Sequence, residues 1–261
     1  MRKTLILSLL VFLCFSRNLY AASADGKWNE AKGNNFIIYY KKAPQDFIKS
    51  VEEMSESYYH EIADNLGYAH YKGWSFNERA SIYIYDDSKD YLSAAKEFEW
   101  SDGIATPQKR VIRTFPAAHG FFDSTLPHEL GHIIFREFVG FKASVPLWFE
   151  EGVAMYQEKA KRFGAHDAVR AAVKNKTFID LPKLSLVQLN NQSPMPLIEL
   201  FYAESASVVY YMINELGQYR FVNFCNELQK GTPFETALEQ VYIRFKNFDD
   251  LNKSWIDYLN Q

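Results

Sequence analysis

The stretch that decides the fold is Leu126-Pro127-His128-Glu129-Leu130-Gly131-His132-Ile133-Ile134-Phe135-Arg136-Glu137-Phe138. Its apolar residues fall at helical spacing, which predicts a helix over 125–138 buried on more than one side. His128 and His132 are four positions apart and project from one face, about one 5.4 Å turn from each other. Their imidazoles can meet one small ion, and Glu129 points close beside it. Two neutral nitrogen donors and a neighbouring carboxylate suit a zinc ion that activates water, with the carboxylate as general base. Buried ionisable groups are costly unless they are used, so a helix this apolar has a reason for keeping three of them. Asp123 or Ser124 is placed to cap the helix, and Pro127 is tolerated in its first turn.

Such a site needs a third protein ligand and an open fourth position. The chain offers Pro146-Leu147-Trp148-Phe149-Glu150-Glu151-Gly152-Val153-Ala154-Met155-Tyr156. Pro146 marks a helix start after the turn at 139–144. A helix antiparallel to the first would bring an early carboxylate back to the histidines. Glu150 and Glu151 stand 18 and 19 positions after His132. They point about 100° apart on a helix, so only one of them can face the ion.

Outward from this core the chain has two textures. Between about 34 and 122, strands are expected at 36–40, 80–85 and 110–115, a helix from Pro44 to Leu66 stopped by Gly67, and a short helix at 91–98. Gly103 falls in an expected loop. From 123 onward the pattern is helical, with helices near 146–158, 165–174, 197–216, 218–229, 233–240 and 246–259. Loops are expected at Leu181-Pro182 and from Asn190 to Pro196. The expected fold class is α+β. A small α/β lobe with a short sheet (about 34–122) is joined through the His128–His132 helix to a helical lobe (about 123–261).

HExxH followed by a glutamate 19 positions after the second histidine, inside W-x-x-E-G-x-A, resembles the gluzincin zinc metallopeptidases, and most closely their exported peptidase MA-like members. Trp100-Ser101-Asp102-Gly103-Ile104-Ala105 is similar to a W-x-D-G-x-A segment that precedes the motif helix in that family. The resemblance covers most of 34–230, with 128–156 its most specific block. It implies one zinc per chain held by His128, His132 and Glu151, with Glu129 as catalytic base and Glu150 at the rim. It also implies a tyrosine donor to the oxyanion. Tyr202 fits that part of the chain, ahead of Tyr210 and Tyr211. The strand at Arg110–Phe115 stands where the family receives extended substrate. One departure is Met155, four residues after Glu151, where thermolysin-like sites carry an acid that orients a histidine.

His119, nine positions before His128, could reach the site, although a lone histidine is more often structural. His60, His70 and His166 have no partner spacing. The implied substrate is a peptide or protein. Nothing in the chain resembles a site for a free amino terminus, which favours an endopeptidase. A zinc-holding interaction domain would keep the ligands but have no use for Glu129.

Composition bounds the remainder. The chain has 261 residues, 48% of them hydrophobic and 16% aromatic, which excludes a disordered protein. Arg2 and Lys3, an apolar run to Phe15 and Ala22-Ser23-Ala24 read as a signal peptide over 1–24, leaving a domain over 25–261. The run is about a dozen residues, short of the roughly 20 that span a bilayer. The expected location is therefore the periplasm or the exterior, with no stable membrane insertion after cleavage. Leu13 before Cys14 does not suit a lipid anchor. Arg2, Lys3 and Arg17 leave with the signal, so 29 basic residues fall to 26 against 32 acidic ones, a net charge of about −6. That argues against nucleic-acid binding through a basic face. Only Cys225 would remain, so no intrachain disulfide is expected.

Overall fold

A computed structural model describes residues 28–68, 73–95, 100–158 and 164–261. The signal sequence, His70 and the end of the helix expected at 91–98 lie outside the described residues. The N-terminal part is a five-stranded sheet in the order β1-β2-β3-β5-β4, built from β1 (Asn29–Lys32), β2 (Phe36–Tyr40), β3 (Ala80–Ile84), β4 (Gly103–Thr106) and β5 (Val111–Thr114). The three inner strands β2, β3 and β5 are parallel, and β1 and β4 flank them antiparallel. Alternation along the strands sends Phe36, Ile38, Ala80, Ile82, Ile84 and Ile112 to one buried face. Helix α1 (Gln45–Asn65) turns Ile48, Val51, Tyr58, Tyr59 and Ile62 inward at helical spacing. Helix α2 spans Ser88–Ala95.

Helix α3 (Leu126–Val139) joins the sheet to the helical part. Leu126, Leu130, Ile133, Ile134 and Phe135 are fully buried, because α1 and β4 cover one side and later helices the other. These are α4 (Leu147–Met155), α5 (Ala165–Asn175), α6 (Leu181–Leu184), α7 (Met195–Tyr210), α8 (Gln218–Gln229), α9 (Phe234–Tyr242) and α10 (Phe248–Leu259). A π-helical turn, Tyr211–Glu215, extends α7. The α+β class with a small sheet and a helical remainder is as expected.

Three local expectations need correction, and one strand, the short, polar β1, carries no apolar alternation that would mark it in the sequence. Gly103–Thr106 is an edge strand, β4, and not a loop. Leu181–Leu184 is a short helix because Asp180 caps it, accepting the Lys183 N–H at 3.1 Å, and Pro182 fits its first turn. Neither Asp123 nor Ser124 caps α3. A π-helical turn, Phe121–Thr125, leads straight into it from Gly120, whose φ of 58° is left-handed.

Two glycines set the distance between helices. A Cβ on Gly131 of α3 would stand 3.1 Å from the Ala154 Cα of α4. A Cβ on Gly152 of α4 would stand 2.3 Å from the Ser205 carbonyl oxygen of α7 and 2.6 Å from a Val209 methyl. The oxygen is backbone and cannot swing aside. Gly152→Ala therefore overpacks the α4–α7 contact, at a typical cost of about 1–3 kcal/mol, and this outweighs the helix-propensity gain of up to about 1 kcal/mol. The expected outcome is a lower urea midpoint. An unchanged or higher midpoint would contradict this packing.

Glu204 of α7 is fully buried. Its Oε1 accepts the Ile179 N–H at 2.9 Å, and among the described residues its Oε2 has no hydrogen-bond partner. Burial pushes its pKa up to about 8; the Ile179 bond opposes this and Asp180 adds to it. A carboxyl held protonated in the folded chain favours folding fully at low pH. That contribution is lost as pH rises from the unfolded value of 4.5 through the folded value of about 8. Glu204→Gln should lose less stability than the parent across that window in urea unfolding at stepped pH. Parallel profiles would refute the assignment.

Candidate functional site

The π-helical turn and α3 together place His128 and His132 with their Nε2 atoms 3.1 Å apart. From α4, Glu151 Oε2 stands 3.5 Å from His128 Nε2 and 3.7 Å from His132 Nε2. Tetrahedral zinc with bonds of about 2.0–2.2 Å sets its donors about 3.3–3.6 Å apart. The triangle fits that geometry. Its chemistry fits as well. His128 Nδ1 faces Glu158 Oε1 at 2.9 Å, so a neutral, metal-binding ring would keep its proton on Nδ1 and leave the Nε2 lone pair for an ion. An imidazole lone pair aimed at a second imidazole nitrogen and a carboxylate, all largely buried, is stabilised by a cation among them. These three residues could hold a metal ion.

The surrounding carboxylates have distinct places. Glu158 is buried, and its other oxygen takes the Ser124 hydroxyl. This is the acid that Met155 does not supply, seven positions after Glu151 instead of four. Glu150, expected as a solvated or rim residue, lines the cleft and is clamped by Arg136, whose Nε donates to Oε1 at 2.8 Å and whose Nη2 donates to Oε2. Arg136 also donates to the Ala143 carbonyl, tying the α3–α4 connection to both helices. Glu150 Oε1 lies 3.8 Å from His132 Nδ1, on the far side of that ring from the triangle.

Glu129 is 7% exposed and accepts the Ala105 N–H of β4. Gly103 makes this approach possible: a Cβ there would lie 2.9 Å from the Thr125 methyl and 3.0 Å from Glu129 Oε1. Burial first, and then the Glu151 charge, lift the Glu129 pKa to about 7, against the pull of His128 and the Ala105 N–H. Burial pulls the His128 pKa down, but Glu151 and Glu158 lift it to about 10. Burial also draws His132 down. Against burial, the two histidines hold Glu151 below the usual carboxylate range.

These groups line a cleft of about 770 Å³. The β4 residues Gly103, Ile104 and Ala105 line one part, while Tyr202, Ala203, Ile198 and Met195 of α7 line another. Burial, and then Glu151, Glu129 and Glu158, raise the Tyr202 pKa far above its ordinary value, so the hydroxyl stays protonated and able to donate. Tyr210 packs instead on Tyr156 and His166, and the Tyr211 hydroxyl bonds Ser254 at 2.7 Å. His119 is exposed and lines the cleft; its carbonyl accepts the Thr125 hydroxyl at 3.1 Å. His60 is exposed, and His166 bonds Ser207 at 2.7 Å, away from the cleft. The strand at 111–114 cannot receive substrate, since β5 is paired on both sides by β3 and β4. The edge beside Glu129 is β4.

Glu158 fixes the His128 tautomer, and removing such a partner typically costs about 10–100-fold in metal affinity. Glu158→Ala should weaken zinc by that much in a competition titration with a chelating dye. Glu158→Gln, whose amide oxygen can still accept the Nδ1–H, should recover most of it. Equal affinity in the parent and the Ala variant would remove Glu158 from this role.

A comparison with curated protein sequences gives no match. Among solved structures the chain is similar to native yeast LTA4 hydrolase, with a TM-score of 0.51 and 14% identity over 87% of this chain and 38% of that one. It is also similar to yeast LTA4 hydrolase in complex with bestatin, with a TM-score of 0.49 and 16% identity over 86% of this chain and 38% of that one. The chain thus spans well under half the length of these hydrolases. The likeness to the native hydrolase is one of fold. Residues 66–261 match the model of the Peptidase MA superfamily, and the chain belongs to that superfamily.

Proposed function

We propose that the chain is an exported, zinc-dependent endopeptidase that holds one zinc through His128, His132 and Glu151. The observation that carries this reading is the donor triangle of 3.1, 3.5 and 3.7 Å with the buried Glu129 carboxylate beside it, in a cleft lined by the edge strand β4. Zinc in that triangle would supply Lewis acidity, making a water acidic near neutral pH and polarising a carbonyl.

The chain's own residues supply the other steps. An extended peptide adds to the free edge of β4 by main-chain hydrogen bonds, which bring its scissile bond over Glu129. Glu129, buried beside the triangle, takes a proton from the attacking water and passes it to the leaving amine. Tyr202 donates its hydroxyl proton in a hydrogen bond to the carbonyl oxygen as negative charge develops there. Membership of the Peptidase MA superfamily supports a peptide or protein substrate.

Glu129 is not needed to hold the metal, whereas losing a general base typically costs about 10²–10⁴ in rate. Glu129→Gln should stay folded and zinc-loaded but cleave a broad peptide library at least about a hundredfold more slowly than the parent. Equal cleavage at matched zinc content would refute the role of Glu129. A parent that binds zinc but cleaves nothing would favour a zinc-holding interaction domain. The export reading predicts a mature protein beginning at Asp25, measured by intact mass of the exported pool. Retained Met1, or lipid on Cys14, would contradict it.

A further inference from the structure

The sheet has two faces, and the site uses one of them. Helix α1 packs there through Tyr59 on Phe36, and α3 packs there against Gly103. Alternation turns Ile37, Tyr39, Ser81, Tyr83, Val111 and Arg113 to the opposite face, where each stays partly exposed. Trp28 and Tyr91 of α2 close one end of that face around Tyr85, with ring centroids 5.4 and 6.2 Å from it.

Strand register sets the remaining side chains in a row. Glu30 of β1, Tyr39 of β2, Tyr83 of β3 and Arg113 of β5 stand side by side. At about 4.8 Å per strand, Glu30 and Arg113 are about 14 Å apart. The Tyr39 and Tyr83 rings stack at 4.7 Å, and the Arg113 guanidinium lies 5.7 Å from the Tyr83 ring. Arg113 Nη1 donates to the Thr106 hydroxyl at 3.4 Å, but the guanidinium meets no carboxylate among the described residues. Glu30 pairs with Lys32 at 2.9 Å, and both side chains are open to water, where such a pair is weak and free to exchange.

Tyr and Arg dominate binding hot spots, and a half-buried arginine among rings lacks only its acid. The row itself points to the molecule that brings one. Its ends carry opposite charges and its middle carries two tyrosines, so it is complementary to its own reverse. Consider a two-fold axis in the plane of contact, running along the strands between β2 and β3. It lays Glu30 of one copy on Arg113 of the other, twice, and Tyr39 on Tyr83. An axis along the row would instead set Arg113 on Arg113 and Glu30 on Glu30, which is repulsive. Aligned sheets packed face to face about 10 Å apart are an ordinary arrangement.

We propose that this face of the sheet is a dimer interface whose partner is a second copy of the chain, held by reciprocal Glu30–Arg113 pairs around the tyrosines. β4 lies outside the overlap, so its edge and the cleft stay open in both copies. Four short strands make a small contact, so the dimer dissociates on dilution. The inference does not depend on the peptidase reading.

The test is sedimentation equilibrium of the zinc-loaded protein from low micromolar to submillimolar concentration. The parent should pass from monomer to dimer and no further. Arg113→Glu and Glu30→Arg each put like charges in contact and should each weaken association by about tenfold or more. The double variant restores opposite charges across the interface and should recover association to within a few-fold of the parent. Circular dichroism checks that each variant is folded. Glu30→Arg, exposed on an edge strand, keeps the test decisive even if Arg113→Glu does not fold. A parent that stays monomeric, growth beyond a dimer, a dimer untouched by Glu30→Arg, or a folded double variant no better than the weaker single one would overturn the proposal.

Discussion

Everything at the site depends on how closely α3 and α4 approach. Gly131 faces Ala154 where even one added carbon would be tight, and this closeness brings Glu151 to within 3.5–3.7 Å of two imidazoles carried by the other helix. Gly152 repeats the device one layer out, letting α7 lie against α4 and carry Tyr202 into the cleft. Gly103 repeats it on the sheet side, letting β4 pass over Glu129. Three missing side chains therefore set the three distances on which the arrangement rests. The first two cost helix propensity, at about 1 kcal/mol per glycine, and interhelical packing must offset that loss.

A second constraint is electrostatic. Glu129, Glu151 and Glu158 crowd around two histidines in largely buried surroundings. Each acid has a separate neighbour that sets its state: Glu158 the His128 Nδ1–H and the Ser124 hydroxyl, Glu129 the Ala105 N–H, Glu151 the two Nε2 atoms. Glu150 is neutralised by Arg136 at the edge of the group. The division leaves Glu151 as the carboxylate aimed at the imidazoles and Glu129 as the one poised near neutrality.

Much of this was legible because the signals are local. The apolar spacing around His128 and His132 marks α3, and the i, i+4 spacing puts both rings on one face. Pro146 marks the start of α4, which carries Glu151 back. Features fixed by tertiary pairing were not legible. β4 is four residues long, holds glycine and alanine, and owes its strand form to pairing with β5. Missing it assigned the substrate edge to β5, an inner strand. Glu158 lies past the end of α4, and only the fold reveals that it meets His128. The Arg136–Glu150 pair spans 14 positions and joins two helices, beyond any local pattern. Gly131 and Gly152, each inside a helical run, were the one available hint of close approach.

The central claim is that these donors form one zinc site of two imidazoles and a carboxylate. X-ray absorption at the zinc edge of the zinc-loaded protein tests it most directly. The account predicts a first shell of about four nitrogen and oxygen neighbours at about 2.0–2.1 Å, outer scattering from two imidazoles, and no sulfur. A sulfur neighbour near 2.3 Å, or a six-oxygen shell without imidazole scattering, would contradict it.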